Sequence, residues 1–300
     1  MKRLADGTLV ATEPVPMPPT TRSIMRRRLG SEQFAEFERV QMYAIAYMSE
    51  GLRIRGYLAL PPAGREPYPA VIFNRGGAGE RAALGPEGAF QYIGTIASWG
   101  YVVAASNYRG QGGSEGTEQW GDGDVRDALN LLPLLAQLGY VDTDRIGLVG
   151  GSRGGMMAFM MLRHSRAFRA AVTIGAPTML HRCSPQSHIR RVFGRFLDPN
   201  RDVEEQLRER SVLVWAHELP RTTPLLILHG TGDRRVEPEQ SLHLALELQR
   251  LQFPYKLVMY DNADHILAGR RSESDYDIRW WLDRYVRDRA PLPKTGPHGA

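Results

Sequence analysis

Between residues 68 and 259 the sequence alternates short apolar runs with longer segments of helical pattern, and this alternation narrows the possible folds more than any other feature. The runs at 69–73, 101–105, 145–149, 170–174, 224–228 and 255–259 have strand length and are mostly apolar throughout. A strand without polar alternation is covered on both faces, so these runs specify a buried, mostly parallel sheet with helices packed on it. Helical segments read at 124–138, 153–164, 237–252 and 273–288, and another ends at Trp99-Gly100. Asp124 and Asp127 stand in the first turn of the 124–138 segment, where the helix dipole favours them. The expected class is α/β, with a mostly parallel twisted sheet flanked by helices.

Ahead of that region, Pro14, Pro16, Pro18 and Pro19 argue against regular structure in the first 20 residues. Ser31-Glu32-Gln33-Phe34 reads as a helix start with Ser31 as its cap. The runs 40–48 and 52–60 flank Ser49-Glu50-Gly51, a hairpin signal. One stretch breaks the later alternation: 177–223 holds His181, Cys183, Pro185, His188, several arginines and an acidic helical run at 202–210. A strand lies on each side of it, so it reads as a small helical insertion over one end of the sheet, not as a second domain. The expected organisation is an extension at 1–39, one α/β domain at 40–289 and a flexible tail at 290–300, where Pro291, Pro293, Gly296 and Gly299 fall.

At 42% hydrophobic and 24% charged, the 300 residues have globular composition, which excludes a fibrous or wholly disordered chain. There is no run of about 18 apolar residues to span a bilayer. Met1-Lys2-Arg3-Leu4-Ala5-Asp6-Gly7 lacks the apolar stretch of a secretory signal, so the expected compartment is the cytoplasm. The single cysteine, Cys183, excludes an internal disulfide and zinc sites built on cysteine. The formal charge is +5, from 38 basic and 33 acidic residues, but the signs interleave. The densest basic clusters are Arg26-Arg27-Arg28 and Arg190-Arg191, with no stripe of stacking aromatics, so a nucleic-acid partner is not expected.

Chemistry in a sheet of this kind sits at the carboxyl ends of the strands. Gly150-Gly151-Ser152-Arg153-Gly154 follows the 145–149 strand and opens the 153–164 helix. That is the Gly-x-Ser-x-Gly nucleophile elbow in its strand–turn–helix setting, with small residues permitting the strained turn. A serine hydroxyl needs a base, and the base needs an orienting acid. His229-Gly230-Thr231-Gly232-Asp233 follows one later strand, and Asp261-Asn262-Ala263-Asp264-His265 follows the next. Ser152, Asp233 and His265 therefore fall past strand ends in the order nucleophile, acid, base. Asp261 and Asp264 compete as the acid, but a carboxylate beside His265 in sequence rarely reaches back to its ring, which favours Asp233. His229 precedes a glycine turn and reads as structural. The remaining histidines lie on helices, in the insertion or in the tail.

Acyl transfer also needs donors for the developing oxyanion. The N–H of Arg153, next to the nucleophile, is one candidate, and Asn74-Arg75-Gly76-Gly77 should supply the second. A competing pattern, Gly77-Ala78-Gly79-Glu80-Arg81-Ala82, fits the dinucleotide fingerprint of an oxidoreductase. Gly85-Pro86-Glu87-Gly88 interrupts the helix it requires, and Asn107-Tyr108-Arg109 stands where its ribose-binding acid belongs. An inactive binding protein has no reason to keep the full serine, acid and histidine set. No metal and no cofactor are expected.

These residues resemble the catalytic α/β-hydrolase domain of the prolyl oligopeptidase family of serine hydrolases, in particular its single-domain, dipeptidyl-aminopeptidase-like or acylaminoacyl-peptidase-like members. The resemblance runs from about Gln41 to Val286. It rests on Phe73-Asn74-Arg75-Gly76-Gly77, Tyr108-Arg109-Gly110-Gln111-Gly112-Gly113-Ser114, Gly150-Gly151-Ser152-Arg153-Gly154-Gly155-Met156-Met157, His229-Gly230-Thr231-Gly232-Asp233 and Asp264-His265. It implies the same triad. It also marks departures. Large members place a tyrosine hydroxyl in the oxyanion hole where Arg75 is the nearest counterpart here, so the donor is the Arg75 side chain or the Gly76 backbone. Gly151 stands where relatives carry a larger residue. About 40 residues stand where large members carry a β-propeller that filters peptides. The expected function is hydrolysis of an ester or a peptide bond of a small substrate through an acyl-enzyme on Ser152, with esters expected to be turned over better than long peptides.

The expected specificity element is the 177–223 insertion. Phe193 and Trp215, with Met179, Leu180 and Phe196, are candidates for an apolar pocket, and Tyr108 is a further substrate-binding candidate. Arg182, Arg190, Arg191 and Arg195 either favour a carboxylate on the substrate or face water. Neither a membrane partner nor a nucleic acid is expected, and self-association into a homo-oligomer is left open.

Overall fold

The early prolines bracket regular structure instead of excluding it, which corrects the expectation for the first 20 residues. In the computed structural model, β1 (Leu9–Pro14) is a strand that ends on Pro14. It is the edge strand beside β2, a position where a residue without an N–H is tolerated. Helix α1 (Pro19–Arg28) takes Pro18 as N-cap and Pro19 as its first residue, where the fixed φ suits the helix and no hydrogen bond is lost. Helix α2 (Ser31–Glu38) begins on Ser31, but Gly30 is its N-cap and no side chain caps it, so the capping role expected of Ser31 is not taken.

The structure describes residues 4–62, 64, 66–293 and 295. Met1, Lys2 and Arg3, and the tail positions Gly296, His298 and Gly299, lie outside the described residues. The chain divides into two compact units, Met1–Glu118 with Asp122–Ile146, and Gln119–Gly121 with Gly147–Ala300.

In the first unit, β2 (Gln41–Ser49) and β3 (Leu52–Leu60) form the expected hairpin, with Ser49 opposite Leu52. Its two loop residues, Glu50 and Gly51, have φ of 49° and 84°, the mirror-image turn that matches the twist of paired strands. There follow β4 (Tyr68–Asn74), α3 (Pro86–Ala89), a π-helical turn at Phe90–Gly94, α4 (Thr95–Ala97) and β5 (Val102–Ser106). The strand order is β1-β2-β3-β5-β4, antiparallel up to β5 and parallel between β5 and β4. The glycine-rich turn after β4 leads only into a three-residue 3-10 turn, Glu80–Ala82, so no helix opens where a dinucleotide fold would need one.

The helix expected over 124–138 is two helices, α5 (Gly123–Leu129) and α6 (Leu131–Gln137). Pro133 is the reason. It has no N–H to donate, and its ring would collide with the carbonyl of Leu129 in a continuous helix. Strand β6 (Val141–Gly151) then carries the chain from the first unit into the second.

The second unit contains α7 (Arg153–His164), β7 (Phe168–Ile174), α8 (His188–Phe193), α9 (Val203–Glu209), α10 (Val212–Trp215), β8 (Leu225–Gly230), α11 (Glu239–Arg250), β9 (Tyr255–Tyr260) and α12 (Arg271–Leu282). Strands β7, β8 and β9 are parallel, with Ala171 level with Leu225 and Leu225 level with Tyr255. Helix α7 is buried from Arg153 to Leu162, as a helix that is apolar nearly all round must be. It packs on β7, while α12 packs on β7 and β8 and α11 on β9. The stretch between β7 and β8 is helical: α8 opens on Ser187, whose hydroxyl accepts from the Arg190 N–H, and α9 on Asp202, which accepts from the Glu205 N–H at 2.7 Å. Among the described residues no helix is long and apolar enough to cross a membrane.

Candidate active site

Ser152 joins β6 to α7 with φ 54° and ψ −124°, a conformation that non-glycine residues adopt only where the surroundings enforce it. The enforcement is glycine packing. A Cβ at Gly150 would stand 2.1 Å from the Gly154 carbonyl oxygen, and one at Gly155 would stand 2.5 Å from the Ala176 side chain. At Gly151, by contrast, an added Cβ meets nothing within 4 Å. The Ser152 N–H donates to the Ile174 carbonyl at 2.7 Å, which ties the turn to the end of β7.

The next residue, Gly175, also has φ of 54°. A Cβ there would lie 3.2 Å from His265 Nδ1 and 3.3 Å from Asp233 Oδ2. The end of β7 thus touches the nucleophile turn on one side and an acid–imidazole pair on the other. That pair is tight: His265 Nδ1 lies 2.7 Å from Asp233 Oδ2. The other carboxylate oxygen, Oδ1, accepts the N–H groups of Arg235 at 2.8 Å and Val236 at 3.1 Å. Burial pushes the Asp233 carboxyl up, but hydrogen bonds from His229, His265 and the Arg235 N–H outweigh it and hold the group well below the usual carboxylate range. An ionised Asp233 makes Nδ1 of His265 the donor, which leaves Nε2 as the basic nitrogen.

The competing acids serve elsewhere. Asp264 Oδ1 accepts the N–H groups of Ile266 and Ala268, folding its own turn. Asp261 is exposed and pairs with Arg270 at 2.7 Å.

Arg153 is the first residue of α7, where backbone N–H groups point out of the helix end. Its side chain is fully buried, with the guanidinium 5.0 Å above the Trp120 ring. Phe193 is buried between Trp120, at 5.9 Å, and the guanidinium of Arg210, at 5.3 Å. Trp215 is buried as well, donating from Nε1 to the Glu209 carbonyl at 3.0 Å. Cys183 accepts from Gln240, and burial pushes its thiol up to about 11, so it stays a protonated, poorly nucleophilic group at neutral pH.

In the first unit the Arg75 guanidinium is buried within its own loop. It donates to the carbonyls of Gly76 and Ala82, each at 3.1 Å, to the carbonyl of Asn107 at 2.7 Å and to the Gln111 side chain. Tyr108 is fully buried, with Arg75 stacked 4.8 Å over its ring and its hydroxyl 3.3 Å from the Arg75 carbonyl. Arg75 thereby clamps the Asn74 to Gly77 loop against Tyr108 and Asn107.

Two residues packed against Asp233 escape a reading by residue type: Gly175 carries no chemical signal, and His229 reads only as a structural residue. Its signal is positional: it stands four residues before the acid, across a glycine turn.

Residues 89–288 match the profile of the prolyl oligopeptidase family, peptidase class S9. The chain belongs to the prolyl oligopeptidase family. It is similar to the uncharacterized peptidase YtmA of Bacillus subtilis, 31% identical over 239 residues that make up 78% of this chain and 90% of the relative. Dipeptidyl aminopeptidase BIII of Pseudoxanthomonas mexicana is 28% identical over 216 residues, 67% of this chain and 31% of that protein. A solved acylaminoacyl peptidase in complex with Z-Gly-Gly-Phe-chloromethyl ketone aligns with a TM-score of 0.74 at 22% identity, covering 88% of this chain and 43% of that one. The chain therefore spans most of the Bacillus relative and less than half of the other two. The fold is that of the α/β hydrolases, and the chain is a serine hydrolase of a peptidase family.

Proposed function

We propose that the chain cleaves a peptide or ester bond of a small substrate through an acyl-enzyme on Ser152. The supporting observation is the His265–Asp233 pair at 2.7 Å, packed on Gly175 directly after the residue that anchors the Ser152 turn. In this reading Ser152 Oγ attacks the substrate carbonyl while His265 Nε2 takes its proton. Asp233 holds the ring and stabilises the imidazolium. The Arg153 N–H, next to the nucleophile, donates to the oxyanion. Nε2 returns the proton to the leaving amine or alcohol, and water repeats the sequence on the acyl-enzyme.

The named relatives are peptidases, which favours an amide bond over the ester. His188, at the start of α8, is held below its ordinary range first by burial and then by the charges of Arg235 and Arg191.

A fluorophosphonate probe is expected to label the wild type and not Ser152→Ala. Aminoacyl or dipeptidyl anilides, tested beside short-acyl p-nitrophenyl esters, are expected to show turnover that depends on Ser152. Ester turnover with no anilide turnover would move the reading to an esterase. Failure to label would remove it.

A further inference from the structure

His229 is fully buried and belongs to none of the catalytic steps above. Its Nε2 lies 3.2 Å from Asp233 Oδ2 and 3.1 Å from the Val236 carbonyl oxygen. A carbonyl cannot donate, so Nε2 carries the hydrogen and shares it between the two oxygens. Nδ1 is then an acceptor, and its partner is the hydroxyl of Ser241 on α11, 2.6 Å away. Ser241 is itself buried.

The bonds form one directed chain. The Ser241 hydroxyl donates to His229, His229 donates to Asp233 Oδ2, and His265 donates to the same Oδ2 from the other side. Oδ1 is held by two backbone N–H groups. Asp233 therefore accepts four hydrogen bonds, and two imidazoles converge on the single oxygen that steers the base. The backbone bonds to Oδ1 fix one end of the carboxylate. Among the described residues, His229 is the one that fixes the other end independently of His265.

We propose that His229 is a positioning residue for the reaction: it sets the plane of the Asp233 carboxylate and through it the orientation of His265, while the Val236 carbonyl fixes the His229 tautomer and Ser241 anchors its other nitrogen. This rests on the triad reading given above. A residue acting this way changes the rate of the chemical step and leaves substrate binding alone.

The test uses His229→Ala, His229→Gln and Ser241→Ala, with Asp233→Asn as reference. Turnover is normalised to active sites titrated with the fluorophosphonate, and the downfield proton resonance of the His265 Nδ1–H is followed by NMR. His229→Ala is expected to lower kcat about 10- to 100-fold with KM nearly unchanged and to displace the resonance, the size expected for one charge-assisted hydrogen bond. The Gln side chain donates from close to the Nε2 position, so His229→Gln should recover most of that loss. Ser241→Ala should cost about threefold, the effect of one neutral hydrogen bond. Normalised kcat and resonance both unchanged in His229→Ala would overturn the proposal. If that variant does not fold, the same null result in His229→Gln and Ser241→Ala overturns it. Near-native kcat in Asp233→Asn would instead remove the triad reading itself. A large loss there beside silent His229 variants removes only the positioning role.

Discussion

Replacing Gly175 by alanine perturbs the site without deleting any reacting atom. Two costs can be separated. The first is backbone: φ of 54° places an alanine in the left-handed region, at about 1–2 kcal/mol. The second is contact. The new Cβ would stand 3.2 Å from His265 Nδ1, 3.3 Å from Asp233 Oδ2 and 3.4 Å from His265 Cε1, so the pair must retreat by a few tenths of an ångström. A displacement of 1 Å in a catalytic group costs on the order of 100-fold, so a third of that should cost about three- to tenfold in kcat. Gly139→Ala supplies the control, because Gly139 has φ of 71° and nothing within 4 Å of its added Cβ. Both variants should lose about 2–8 °C in Tm by calorimetry. Only Gly175→Ala should lose kcat per titrated active site, with KM preserved. Equal, undiminished kcat in the two variants would refute the claim that the acid–base pair is packed against the end of β7.

Phe193→Ala removes a ring buried beside Trp120 and Arg210 and should cost about 3–5 kcal/mol in equilibrium denaturation; a loss below about 1 kcal/mol would deny it a place in the core. Arg75→Ala removes the clamp on its loop and should lower Tm and kcat together, whereas a change in KM alone would make Arg75 a substrate contact. The Asp233 carboxyl titrates lower in the fold than in the unfolded chain, so its stabilisation is complete above the unfolded value of about 4 and fades as pH falls below it. The stability gap between wild type and Asp233→Asn, measured by urea unfolding, should therefore narrow on acidification through that value, and a widening gap would contradict the assignment.

The sheet was legible because its strands are covered on both faces, and burial of that kind is written as unbroken apolar runs such as Ala170-Ala171-Val172. The elbow was legible because only small residues tolerate its close packing. The prolines are not legible by type because their effect depends on position: Pro19 starts a helix and Pro133 breaks one, and both carry the same letter. His229 and Arg75 illustrate a different limit. Residue type gives a side chain's chemistry, while its partner is set by tertiary packing, which brings α11 to His229 and Asn107 to Arg75. Phe193 and Trp215 are pocket candidates on apolar character alone, a property that a pocket wall and a core share.

Gly150 and Gly151 are neighbours with the same letter and opposite freedom. Any side chain at 150 would strike the backbone of Gly154, so drift at that position is closed to the lineage. Position 151 is open space beside the nucleophile. It can be refilled without moving the turn, by evolution or by an engineer, with a residue that changes what approaches Ser152.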